Sequence, residues 1–161
     1  MIFVTTGTQL SFERLVRAVD DWAKERRYNG EIFAQTGETK TTFCCIETRK
    51  FLGLADYNKI ISKTSLLIGH AGIGTILTAH DYQLPLIIMP RQLKYSEHRN
   101  DHQMATVSKF RDTPGVHVAI DREELFELLD KKEQLERCGD YQPKNRKQLI
   151  DYLSKEFKVE N

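Results

Sequence analysis

The chain contains, between residues 66 and 80, the run Leu66-Leu-Ile-Gly-His70-Ala-Gly-Ile-Gly-Thr75-Ile-Leu-Thr-Ala-His80. Its apolar start has the length of a buried strand, and the glycines that follow predict a tight turn into a helix. A helix N-terminus presents unpaired N–H groups and the positive end of the helix dipole. The run therefore predicts a phosphate site. The alternative is that the glycines only allow strand and helix to pack closely.

Apolar strands and amphipathic helices alternate on both sides of this run. The predicted strands are Met1–Thr5, Ile32–Gln35, Thr42–Ile46, Ser65–Ile68, Leu86–Met89 and Val116–Ile120. The predicted helices are Phe12–Arg26, Ala55–Ser62, Gly74–Tyr82, Asn100–Lys109, Arg122–Lys131 and Lys144–Phe157. This order predicts the α/β class, with a Rossmann-like, doubly wound parallel sheet in a single domain over residues 1–161. Ser11 is predicted to cap the first helix, and Asp121 with Glu124 to form a capping box.

Composition narrows the classes of function. The 161 residues carry a net charge of +1, and basic residues are not interleaved with aromatic ones, so a nucleic-acid partner is disfavoured. No apolar run approaches the roughly 18 residues that span a bilayer, and the N-terminus lacks the features of a signal peptide. The three cysteines, Cys44, Cys45 and Cys138, fit reduced thiols in a cytoplasmic protein, and they are too few for a metal site.

Several nucleotide-binding motifs are absent from the glycine turn. The segment Gly72-Ile-Gly-Thr-Ile-Leu77 has leucine where a dinucleotide fingerprint has its third glycine, and no P-loop lysine follows. A polar cluster, Glu97-His-Arg-Asn-Asp-His-Gln103, comes after the next apolar strand. The segments 5–9, 70–75 and 91–103 all follow strands and are expected to converge at one sheet edge. A phosphate cradle beside many donors and acceptors indicates a phosphate-linked sugar as ligand.

Four stretches carry a resemblance to a known family. They are Phe3-Val-Thr-Thr-Gly-Thr-Gln9, Phe12-Glu-Arg-Leu-Val16, Ile68-Gly-His-Ala-Gly-Ile-Gly-Thr-Ile-Leu-Thr-Ala79, and Pro85-Leu-Ile-Ile-Met-Pro-Arg91 with Glu97–Gln103. Together they resemble bacterial exopolysaccharide and capsule glycosyltransferase subunits of the β-1,4-galactosyltransferase type. These subunits correspond to the C-terminal, donor-binding half of GT-B enzymes, the glycosyltransferase family 28 C-terminal domain.

The resemblance implies a role for each matching residue. The turn that would bind the donor diphosphate is Ala71, Gly72, Ile73, Gly74 and Thr75. The residues that would bind the donor sugar are Asn100, Asp101, His102 and Gln103, although the first two could equally cap a helix. Phe51 and Leu52 match the loop against uracil, and Thr78 stands where many relatives hold the ribose with a glutamate. The loop that would face the cleft is Thr6, Gly7, Thr8 and Gln9, which could also be an ordinary turn.

The resemblance also implies an activity and partners. The implied reaction is the inverting transfer of a hexose, with galactose as the first candidate, from a UDP-sugar to an undecaprenyl-diphosphate-linked sugar. It would need no metal and no cofactor besides the UDP-sugar substrate. The general base is unassigned among His70, His98 and His102, and a separate membrane-attached subunit would hold the acceptor. The chain would then lie at the inner face of the cell membrane, and homo-oligomer formation stays open. The alternatives are a non-catalytic activator subunit and, less favoured, a dinucleotide-dependent oxidoreductase.

Overall fold

Short parallel strands form a single sheet in the computed structural model of this chain, which describes residues 1–7, 10–97 and 102–139 except for the His102 side chain. The strands are β1 (Ile2–Thr5), β2 (Ile32–Gln35), β3 (Glu47–Arg49), β4 (Leu66–His70), β5 (Leu86–Met89) and β6 (Val116–Val118). Their order in the sheet is β3-β2-β1-β4-β5-β6. The order reverses between β1 and β4, where Thr5 pairs with Gly69. The predicted doubly wound parallel sheet is therefore confirmed.

Helices cover both faces of the sheet. They are α1 (Glu13–Glu25), α2 (Leu54–Ile61), α3 (Ile73–Asp81), α4 (His102–Phe110) and α5 (Arg122–Asp130). Side chains alternate along β1, so Ile2 and Val4 pack in one core with α1 and α5, whereas Phe3 packs in the other with α2, α3 and α4. Burial on both faces explains why the central strands are continuous apolar runs.

The third strand differs from its predicted position. The segment 42–46 has the composition of a strand, but the carboxylate of Asp20 in α1 accepts hydrogen bonds from the main-chain N–H groups of Cys44 (3.0 Å) and Cys45 (2.7 Å). These N–H groups are therefore unavailable to a strand ladder. The exposed residues Glu47–Arg49 pair with β2 instead, in parallel register.

Helix ends also differ in part from expectation. The prediction that Ser11 caps α1 is wrong, because the helix begins at Glu13 with Phe12 at its N-cap and without a side-chain cap bond. The Asp121–Glu124 cap is confirmed: Asp121 Oδ1 accepts from the Glu124 N–H at 2.9 Å, and the Glu124 carboxylate accepts from the Ile120 N–H at 2.7 Å. The predicted helix at 144–157 lies outside the described residues.

Candidate functional site

A cavity of about 520 Å³ opens at the carboxyl ends of β1 and β4, where the strand order reverses. Ligands of doubly wound proteins bind at this position because the connecting loops part there and leave a crevice. Its lining residues are Thr5, Thr6, Gly7, Leu10, Tyr57, His70, Gly72, Ile73, Gly74, Thr75, Thr78, Arg91 and Gln103. The predicted convergence of the three polar segments on one edge is thus confirmed for the residues that the structure describes.

The glycines near the junction of β4 and α3 serve different purposes. A Cβ at Gly69 would lie 2.7 Å from the Thr75 methyl carbon and 3.2 Å from the Thr5 carbonyl oxygen, so this glycine allows close packing of α3 on the sheet. A Cβ at Gly72 would overlap the His70 ring. A Cβ at Gly74 would meet no atom of residues 1–7, 10–97 or 102–139 within 4 Å, although this glycine lines the cavity. Close packing therefore explains Gly69 but does not require a glycine at position 74.

The first turn of α3 presents main-chain N–H groups to the cavity. Three N–H groups of the predicted diphosphate turn already have acceptors: that of Ala71 bonds the Met89 carbonyl at 3.2 Å, and those of Gly72 and Thr75 bond the carbonyls of His70 and Gly72. Helix geometry leaves the N–H groups of Ile73 and Gly74 without an intrahelical acceptor. The set of N–H groups that can meet an anion is thus smaller than the sequence predicts, and Ala71 is buried away from the cavity lining.

The loop after β1 forms the opposite wall. Gly7 has φ +78°, a conformation that favours glycine, and its N–H lies 3.3 Å from Thr5 Oγ1, which accepts from it. The Thr6 side chain is buried and donates to the Gln35 carbonyl at 3.2 Å. Thr6 therefore joins the loop to β2, and Gly7 exposes main chain to the cavity. Thr8 and Gln9, also predicted for this loop, lie outside the described residues.

His70 is the candidate base that the structure places at the cavity. A Cβ on Gly7 would lie 3.0 Å from His70 Cε1, so the imidazole stands between the early loop and the turn into α3. His98 lies outside the described residues, as does the side chain of His102. Asn100 and Asp101, predicted to bind the donor sugar, lie outside them too.

Arg91 is a functional-site residue to which the sequence assigned no role. It lies two residues after the end of β5 and is 2% exposed, and its guanidinium donates to the carbonyls of Thr6 (2.8 Å), Leu10 (2.7 Å) and Ser11. Burial lowers the pKa of this guanidinium to about 10, which the Glu97 carboxylate partly opposes. The Arg91 main-chain N–H donates to Gln103 Oε1 at 2.9 Å. The sequence signal that could have found Arg91 is its place two residues after a buried strand, at the sheet edge where ligands bind.

Thr78 lines the cavity together with Tyr57, a second residue that sequence reasoning missed. The Thr78 hydroxyl donates to the Gly74 carbonyl at 2.9 Å, and the Tyr57 hydroxyl lies 3.4 Å from Thr78 Oγ1. Two hydroxyls therefore occupy this side of the cavity. Phe51 is about half exposed and Leu52 packs on the core, and within the described residues neither lines the cavity.

The described part of the chain contains neither a metal-binding group of side chains nor a membrane-spanning helix. No three His, Cys, Asp or Glu side chains come together there in a way that could hold a metal ion. None of the helices seen over the same residues combines the length and apolar character needed to cross a bilayer.

A family model matches nearly the whole chain. The model describes the "Glycosyltransferase family 28 C-terminal domain" and matches residues 1–156. No curated protein matches the chain significantly.

Solved structures share the fold at low sequence identity. MurG of Acinetobacter baumannii aligns with TM-score 0.59 and 17% identity over 81% of this chain and 40% of its own. An NMR structure of ALG13 aligns with TM-score 0.65 and 19% identity over 93% and 94% of the two chains. The glycosyltransferase SnogD from Streptomyces nogalater aligns with TM-score 0.52 and 16% identity over 81% and 35%. The chain thus spans about two fifths of MurG but nearly all of the ALG13 structure.

Proposed function

Since this chain belongs to the glycosyltransferase family 28 C-terminal domains, we propose that it is the donor-binding, catalytic subunit of a split GT-B glycosyltransferase. It transfers a hexose, galactose in a β-1,4 linkage as the first candidate, from a UDP-sugar to an undecaprenyl-diphosphate-linked sugar in exopolysaccharide or capsule biosynthesis. The transfer is inverting and independent of metal. The observation that carries the proposal is the cavity at the β1/β4 reversal, which joins the N-terminus of α3 to a wall of polar side chains.

The donor diphosphate binds at the first turn of α3. The N–H groups of Ile73 and Gly74 and the positive end of the helix dipole favour an anion there. Gly74 lets the ligand approach the helix closely, because no atom of the part of the chain that is described occupies the space its Cβ would take. The same groups stabilise the charge that grows on the departing UDP, which lowers the barrier to transfer.

The sugar and the ribose lie on either side of the diphosphate. Gln103 meets the donor sugar, together with Asn100, Asp101 and His102. Thr78 and Tyr57 share the ribose contact, which compensates for the threonine at a position where many relatives have glutamate. Phe51 and Leu52 remain the candidates for the uracil.

A partner subunit supplies the acceptor. His70, which lines the cavity, is one candidate for the base that deprotonates the acceptor hydroxyl; the others are His98, His102 and a group of the partner. Exposed apolar side chains on the segments that follow β1, β3 and β5 support a docked partner; they are Leu10, Phe51, Leu54, Leu93 and Tyr95, of which Leu10 lines the cavity. The partner is attached to the membrane and holds this chain at its inner face.

Calorimetric titration of the purified chain tests the donor site. The ligands are UDP, UDP-galactose, UDP-glucose, UDP-N-acetylglucosamine and NAD. Saturable binding of a UDP-sugar is expected, and binding of NAD alone would contradict the proposal. A sugar-transfer assay on the complex with its partner then distinguishes a catalytic subunit from a non-catalytic activator subunit. Gly74→Asp should abolish transfer while the complex still assembles, whereas an activator would tolerate this change.

A further inference from the structure

Arg91 connects two walls of the cavity that come from distant parts of the chain. Its guanidinium bonds three carbonyl oxygens of the loop after β1, and its main-chain N–H bonds the Gln103 side chain at the start of α4. The guanidinium also lies 4.7 Å from the centre of the Phe12 ring. A planar group with five donors suits several carbonyls at once, whereas a lysine ammonium is a single point charge.

The hydrogen bond from the Arg91 N–H determines which way the Gln103 amide faces. A main-chain N–H can only donate, so the atom that meets it must be the amide oxygen of Gln103 rather than the nitrogen. The other polar group of this side chain is the NH₂, which can only donate. Because Gln103 lines the cavity, its orientation sets the polarity of that wall.

We propose that Arg91 is a positioning residue: its guanidinium holds the loop after β1, and its main-chain N–H turns the Gln103 amide so that the NH₂ donates to an acceptor oxygen of the bound nucleotide sugar. The inference rests on the proposed function. The acceptor is an oxygen of a sugar hydroxyl or of the diphosphate, and both present lone pairs to a donor. A ligand group that must donate at this point is disfavoured.

Two substitutions at Gln103 test the orientation. Gln103→Glu keeps an oxygen for the Arg91 N–H but replaces the NH₂ with an acceptor, and Gln103→Leu removes both groups. At pH 7.5, Gln103→Leu should weaken UDP-galactose binding about tenfold, and Gln103→Glu about tenfold further, measured by calorimetry. Binding by Gln103→Glu as tight as that of the unmodified chain would show that the ligand group donates, and would overturn the inference.

Repeating the titrations at about pH 4 separates hydrogen bonding from charge repulsion, since a glutamate carboxyl with its ordinary pKa of about 4.3 is then mostly protonated and donates again. Gln103→Glu should then bind more tightly than Gln103→Leu. Recovery only to the level of Gln103→Leu would mean that charge alone caused the loss, which contradicts the inference. Parallel titrations with UDP identify the acceptor: equal losses for UDP and UDP-galactose assign it to the diphosphate, and a loss for UDP-galactose alone assigns it to the sugar.

Hydrogen exchange of the Arg91 amide tests the positioning without a ligand. The amide should be protected in the unmodified chain and in Gln103→Glu, and should exchange at least about tenfold faster in Gln103→Leu. Equal exchange in the three proteins would show that Gln103 does not hold this N–H. If the exchange pattern is as expected but the unmodified chain binds no UDP-sugar, the proposed function is contradicted while the positioning of Gln103 by Arg91 stands.

Discussion

Arg14 and Glu97 form a two-point ion pair across 83 residues of sequence, with Arg14 Nε 2.7 Å from Glu97 Oε1 and Arg14 Nη2 2.8 Å from Glu97 Oε2. Arg14 also donates to the Pro90 carbonyl at 2.9 Å, and Glu97 Oε2 accepts from the Gln92 N–H at 3.0 Å. The pair therefore joins α1 to the loop after β5, which also contains Arg91, the residue that orients Gln103. Its side chains are 23% and 11% exposed, which limits screening by solvent.

Removing the charge of Glu97 should destabilise the protein. The amide in a Glu97→Gln variant offers one acceptor oxygen and places its NH₂ against donors of Arg14 and Gln92. We expect the free energy of unfolding to fall by about 2 kcal/mol. Urea denaturation followed by circular dichroism measures the loss. The matched control is Glu38→Gln in the exposed Lys50–Glu38 pair, which should cost less than about 0.5 kcal/mol; equal losses would contradict a special role for Arg14–Glu97.

Gly74→Ala should stabilise the protein and weaken donor binding at once. Alanine is the better helix former by about 1 kcal/mol, and among the described residues its methyl group meets no atom within 4 Å. The same methyl group would stand where the diphosphate approaches the first turn of α3. Thermal unfolding should show a higher midpoint, and calorimetry a weaker affinity for UDP-galactose.

A glycine outside the cavity provides the control for this change. Within the described residues a Cβ at Gly139 would also meet no atom within 4 Å, and Gly139 does not line the cavity, so Gly139→Ala should leave donor affinity unchanged. If Gly74→Ala binds UDP-galactose as tightly as the unmodified chain does, the diphosphate does not contact this turn.

The unfolding free energy should fall as the pH drops below about 6.5. Burial lowers the pKa of His80, and the Gly139 backbone and the Asp81 carboxylate only partly oppose this effect. Below the ordinary histidine pKa the unfolded chain binds a proton that folded His80 resists, so the contribution present at neutral pH is lost on acidification. Urea melts between pH 8 and pH 5 should show the decline, which a His80→Gln variant should reduce relative to a His117→Gln control. If the free energy of unfolding of His80→Gln declined with pH as steeply as that of the unmodified chain, His80 would not be the cause of the decline.

The three cysteines should react with a thiol reagent at separate rates. Cys44 is exposed, Cys45 is partly buried and Cys138 is buried. Burial raises the pKa of the Cys45 thiol and raises that of Cys138 to about 12, so the reactive thiolate is scarce at both. Colorimetric titration should detect the Cys44 thiol first, and a Cys44→Ser variant should lack this fast reaction. Cys138 should react only after denaturant is added. Rapid reaction of Cys138 in the native protein would contradict its burial.

Local patterns predicted the sheet well, whereas long-range contacts decided the exceptions. The strand, turn and helix at 66–80 could be predicted because their signals, an apolar run and closely spaced glycines, lie within the segment itself. The prediction for segment 42–46 was wrong because the carboxylate that binds its N–H groups belongs to Asp20, more than 20 residues earlier. Such a contact leaves no trace in strand propensity.

The candidate site was predicted by position more than by chemistry. Gly72–Thr75 and Gln103 came from segments that follow strands, and they do line one cavity. Arg91 had no predicted role because a charged residue after a strand is usually solvated, and only the fold brings three carbonyl oxygens around it. Tyr57 was missed because it lies on a helix whose sequence carries no motif.

The exposed strand β3 also limits how this molecule can associate. It ends the sheet, it is three residues long, and it carries Glu47 and Arg49 on a fully exposed edge. Short, charged edges discourage another strand from adding to the ladder. Strand addition between copies of this chain is therefore blocked on this side of the sheet, so copies can meet at high concentration without joining their sheets.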